Sequence, residues 1–157
     1  MKTINHNDFI PGLVIRIHPD YGHPSSLWPS KELVINNRPE PYVLPRDIGI
    51  DDTLDERILT WTDCFQESIV EEYEDFDRRP LWRPEVNAFD WYDEGYRIVF
   101  ELRSQFPDVQ ILPQFAHYVF SVNERRESVG RPPISLPGER KSGYMSIREI
   151  VNRNADI

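Results

Sequence analysis

The chain has 157 residues, 14 prolines and a net charge of −9, with 39% apolar and 12% aromatic residues. That length supports one compact domain with a core, and the aromatic share argues against global disorder. The acidic balance argues against a direct nucleic-acid binder, since phosphate backbones need Lys and Arg to release their counterions.

The one cysteine, Cys64, rules out an intrachain disulfide and suggests a reducing compartment. The N-terminal residues MKTINHNDFIPG hold no apolar run of signal-peptide length, and no stretch reaches transmembrane length. The expectation is a cytoplasmic protein with no membrane contact.

In chain order, Leu13 to Ile17 is β-prone and His18-Pro19-Asp20-Tyr21-Gly22 ends it as a turn. Ser25 to Pro29 reads as a loop with one large anchor, Trp28. Leu33-Val34-Ile35 and Tyr42-Val43-Leu44 are short possible strands.

A long helix follows. Thr53 with Glu56 fits a capping box, and Leu54 opens an apolar pattern. Ile58, Trp61, Phe65, Ile69, Tyr73 and Phe76 recur at spacings of three and four, predicting one buried stripe on a helix of about six turns. From Asp51 to Asp77 there are eleven carboxylates against one basic residue, Arg57. That is a local net charge of −10, so the rest of the chain sums to +1. Helical phasing places Glu56, Asp63, Glu67, Glu71 and Glu74 opposite the stripe, as an outer acidic ridge.

A second helix is predicted from Asn87 to Phe106, with Phe89, Tyr92, Tyr96, Val99, Leu102 and Phe106 on its apolar face. Gly95 lies in its middle. Val109 to Leu112 reads as a strand, and Phe115 to Val122 as another with Tyr118, Phe120 and Val122 on one face. Residues 123–143 carry Arg125, Arg126, Arg131, Arg140 and Lys141, and read as a long basic loop or arm. A last short helix is predicted from Ser146, with Glu149 as its box partner. The fold class expected is α+β: two long amphipathic helices packed on a small, mainly antiparallel sheet with Pro-rich loops, all as a single domain over 1–157.

No catalytic constellation emerges. His6, His18, His23 and His117 match no zinc spacing, and Cys64 adds no cluster. Asp63 and Glu67 stand one helical turn apart, yet on the ridge, where nothing buries them to split their pKa values. No phosphate-cradling glycine sequence is present. The expectation is no enzyme, no metal and no cofactor. The ridge reads either as a solvated face or as a docking surface for a basic partner, with Trp82, Trp91 and Tyr92 as aromatic hot spots at its rim.

Three places carry a resemblance. They are Tyr21-Gly22-His23-Pro24 followed by Leu27-Trp28-Pro29; Leu54 to Phe65 around Trp61; and Asp90 to Gly95 leading to Leu102 and Asp108-Val109. The chain resembles bacterial immunity proteins of contact-dependent growth inhibition and other polymorphic toxin systems. Ser25-Ser26 interrupts the first motif, and nothing after residue 114 matches. The resemblance implies a cognate toxin domain, often a nuclease, bound tightly and without chemistry. The alternative is a regulatory or scaffold protein that binds a basic protein partner. Nothing in the sequence sets the oligomeric state.

Overall fold

The computed structural model describes residues 13–30, 43–69 and 79–135. Its elements are β1 (Val14–Ile17), β2 (Leu27–Pro29), α1 (Asp52–Ser68), α2 (Ala88–Gln105), β3 (Gln110–Pro113) and α3 (Val122–Ser128), with 3-10 turns at Pro45–Ile48 and Ala116–Tyr118. The class is α+β, with the two long helices present. The predicted strand at 33–35 and the helix from Ser146 lie outside the described residues, and of the strand predicted at 42–44 the described Val43 and Leu44 form none.

Two compact units divide the chain. One holds the described residues up to Glu67 together with Glu94–Gln114. The other holds Ser68–Asp93 and the described residues from Phe115 onward.

The first unit carries a three-stranded mixed sheet in the order β2-β1-β3. β1 pairs antiparallel with β2, placing Ile17 opposite Leu27, and parallel with β3, placing Ile15 opposite Ile111. Val14, Ile15 and Ile17 are buried while Arg16 is exposed. β2 is a correction to the loop expected there: Pro29 lacks an N–H, and an edge strand tolerates that loss.

α1 buries Leu54, Ile58, Trp61 and Phe65, as its spacing predicts. Its cap differs from expectation. Asp51 Oδ1 accepts the Leu54 N–H at 2.9 Å, so Asp51 rather than Thr53 caps the helix. A carboxylate there serves as acceptor and also faces the positive end of the helix dipole.

The helix also stops early. Ile69 forms an isolated antiparallel bridge with Trp82, and Ser68 O accepts the Arg83 N–H at 2.8 Å. At Ile69 the helix gives way to a pairing with a distant segment. Tyr73 and Phe76 of the predicted stripe lie outside the described residues.

α2 begins where expected. Asn87 Oδ1 accepts the Phe89 and Asp90 N–H groups at 3.0 and 3.3 Å. Within the first unit its later turns run antiparallel to α1. Arg57 bonds Glu94 and Glu101, and Gln105 Nε2 donates to Asp51 Oδ2 at 3.1 Å. Phe106 O then accepts the Val109 N–H at 3.0 Å, turning the chain into β3.

In the second unit the strand expected over 115–122 is absent. Phe115 and Phe120 are buried edge-on against Tyr92, at centroid distances of 5.5 and 5.0 Å. Trp82 packs on Trp91 at 4.9 Å and donates its indole N–H to Tyr118 O at 2.7 Å. This ring cluster needs a compact turn, not an alternating strand. Ser121 caps α3 reciprocally: its Oγ accepts the Glu124 N–H at 3.2 Å, and Glu124 Oε1 accepts the Ser121 N–H at 3.0 Å. That capping box corrects the predicted basic loop, since Arg125 and Arg126 belong to a helix. Arg140 and Lys141 lie outside the described residues.

Candidate functional site: the carboxylate face of α1

The acidic residues of α1 sort into two groups by what they touch. Asp51 caps the helix and receives Gln105. Asp55 is buried, accepts the Arg46 backbone N–H at 3.2 Å and pairs with the Arg46 guanidinium at 3.8 Å. These two carboxylates are committed to the fold.

Glu56, Asp63 and Glu67 are exposed, and among the described residues no ion pair or hydrogen bond engages their carboxylates. At about 100° per residue they fall within an arc of roughly 40°. At 1.5 Å per residue the line they form is about 17 Å long. Asp52, exposed at the helix start, extends the same face; the sequence signal for it was its phase one turn before Glu56.

The one cation of α1 leaves that face unneutralised. Arg57 donates to Glu94 Oε2 and Oε1 at 3.2 and 3.0 Å, and to Glu101. The hydrogen bonds that Arg57 donates to Glu94 and Glu101 raise its pKa further above its ordinary value. Burial raises the Glu94 carboxyl, but Arg57 and Arg97 outweigh it and hold Glu94 below the usual carboxylate value.

The other predicted binding residues separate from this group. Glu71 and Glu74 lie outside the described residues. Trp82, Trp91 and Tyr92 are only 8%, 5% and 0% exposed, which corrects their assignment to a rim. Their rings are the packing of the second unit, and burying such area stabilises more than leaving it wet.

The exposed aromatics of the first unit include Tyr21 (51%) and Trp28 (37%). Tyr21 stands 5.7 Å from the Phe65 ring of α1, and Gln66 of α1 donates to Asp20 O at 2.9 Å. Sequence reasoning passed over Tyr21. Its signal was the adjacent Gly22, whose φ of 80° lets the turn project it outward.

The described histidines are His18, His23 and His117. His18 Nδ1 lies 3.1 Å from Gln114 O, His23 is buried in the β1–β2 connection, and the His117 ring lies tilted against Tyr118 at 4.2 Å. Among the described residues no group of three or more His, Cys, Asp or Glu side chains is placed to hold a metal ion. Among them, too, no helix is long and apolar enough to cross a membrane.

Compared with protein-family models, curated proteins and solved structures, the chain matches none.

Proposed function

We propose that this chain is a non-catalytic immunity protein that acts in the cytoplasm. It binds a cognate toxin domain, basic in character as a nuclease groove is, and neutralises it by occlusion. One observation supports the reading above others. Glu56, Asp63 and Glu67 share one exposed line on α1, while the helix's single cation is held by Glu94 and Glu101. A rigid row of carboxylates accelerates encounter with a basic surface and can occupy a groove that receives phosphates. The same face also fits a regulatory or scaffold role toward another basic protein.

The test is co-expression and pull-down with the product of the adjacent gene, followed by titration. Changing Glu56, Asp63 and Glu67 together to Lys is expected to weaken binding by about two to three orders of magnitude, since like charges across an interface cost several kcal/mol. Unchanged affinity removes the ridge as the interface. Capture of a basic partner without toxin activity favours the scaffold reading.

A further inference from the structure

The connection between β1 and β2 is tied to α1 by a buried polar network with one titratable group at its centre. His23 is 1% exposed. Its Nδ1 accepts the backbone N–H groups of Ser25 and Ser26, at 3.2 and 3.0 Å. Both bonds require an unprotonated Nδ1, so the neutral ring carries its hydrogen on Nε2. These bonds hold Ser26 at a φ of 60°, a left-handed conformation uncommon outside glycine.

The turn so shaped makes the contacts to α1. Thr62 Oγ1 donates to Ile58 O at 2.9 Å, so in the 2.7 Å contact between Ser26 Oγ and Thr62 Oγ1 the serine is the donor. Gln66 Nε2 donates to His23 O at 2.8 Å and to Asp20 O at 2.9 Å. Ser25 Oγ donates to Val43 O at 2.5 Å. Trp28 covers the imidazole at 4.2 Å and donates its indole N–H to His18 O at 2.9 Å.

We propose that His23 is a proton-operated latch: with Nδ1 unprotonated it locks residues 18–26 against α1, and a proton on Nδ1 releases them. Among the described residues, the charged and titratable groups acting on the ring are Asp20 and His18, both from the connection itself. α1 contributes Thr62 and Gln66, β2 contributes Trp28, and the segment before the 3-10 turn contributes the Val43 carbonyl, none of them charged. Burial holds the His23 pKa below its ordinary value of 6.5, against Asp20 and the Leu27 backbone, which raise it.

The sign follows. The locked form is neutral and refuses the proton, while the released form takes it at the ordinary value. The lock is complete above pH 6.5. As pH falls below that value, the ratio of released to locked chains rises by up to about tenfold per pH unit, until the locked form itself titrates. The proposal stands independently of the binding reading.

The experiment is NMR of the uniformly 15N-labelled full chain between about pH 8 and pH 5, following the His23 ring nitrogens, the Ser25 and Ser26 amides and the Trp28 indole. The expected result is one shared midpoint below 6.5. Hydrogen-exchange protection of the two serine amides should fall by up to about tenfold per pH unit, while that of Val99 and Leu102 in α2 holds. His23→Asn places an amide oxygen where Nδ1 sits, with nothing to protonate. It should keep the two serine amides protected at every pH in the range. The proposal is overturned if His23 titrates at or above 6.5, if the serine amides do not follow it, or if His23→Asn retains the pH dependence. Should that variant not fold, the midpoints of the parent chain decide alone.

Discussion

Replacing Arg79 with methionine removes the cation beside Glu124 and leaves the greasy stem. The Glu124 side chain is 0% exposed and the Arg79 side chain 25%. Arg79 Nε donates to Glu124 Oε1 at 3.1 Å, Nη2 donates to Oε2, and the guanidinium lies 5.2 Å from the centre of the Phe89 ring. Stranding one half of a buried pair costs about 3–5 kcal/mol, because the remaining charge keeps its desolvation penalty. The partly wet side of Arg79 argues for the lower end. Loss of the contact over Phe89 adds roughly 0.5–1 kcal/mol. The expected destabilisation is therefore about 3–4 kcal/mol, a large part of the roughly 5–15 kcal/mol typical of a whole protein.

Urea unfolding read by tryptophan fluorescence measures it, since Trp82 and Trp91 belong to the same unit as the pair. With a slope of about 1–3 kcal/mol per molar, the midpoint should fall by at least about 1 M. Glu124→Gln should lose less. It keeps an oxygen for the Ser121 N–H, and glutamine serves at this position of a capping box. A loss under about 1 kcal/mol in Arg79→Met, or a larger loss in Glu124→Gln, refutes the view that Glu124 depends on its cation.

Three further outcomes are expected. Asp51→Ala should destabilise by about 0.5–2 kcal/mol in thermal melts, whereas Thr53→Ala should change little, because Asp51 accepts the Leu54 N–H. Glu94 is held below its ordinary value of 4.5, so its contribution is complete above that pH and is lost as pH falls through the folded value; Glu94→Gln should flatten this acid limb in pH-dependent melts. Asp63→Asn with Glu67→Asn should leave the melting temperature unchanged or slightly higher, since carboxylates one turn apart repel by about 0.2–0.5 kcal/mol.

The helices were legible because a period of 3.6 and nearby side-chain caps are local signals. Leu54, Ile58, Trp61 and Phe65 are buried as their spacing requires, and Asn87 caps α2 at the predicted start. The end of α1 was not legible. It depends on Ile69 meeting Trp82, thirteen residues further on, against a sequence that continues the helical stripe. Over 115–122 an alternating run of aromatics imitates a strand, although Phe115 and Phe120 are placed by Tyr92 on α2. Sequence alone does not separate a core aromatic from an exposed one, so its pattern points to Trp82, Trp91 and Tyr92 at a rim although they are buried, and not to the exposed Tyr21. The ridge itself was readable at Glu56, Asp63 and Glu67. Its division from the structural Asp51 and Asp55 needed coordinates.

The parallel pairing of β1 with β3 sets a timetable for biogenesis. Val14 meets Gln110, so 96 residues separate partners that share a ladder. At roughly 5–20 residues per second, a growing chain carries β1 for about 5–20 s before β3 has been synthesised. Through that interval β1 has only β2 beside it, and its other flank offers free N–H and C=O groups to any extended chain nearby. Long-range closure of this kind is slow. Yield during expression should therefore respond to temperature and translation speed more strongly than the stability of the finished fold does.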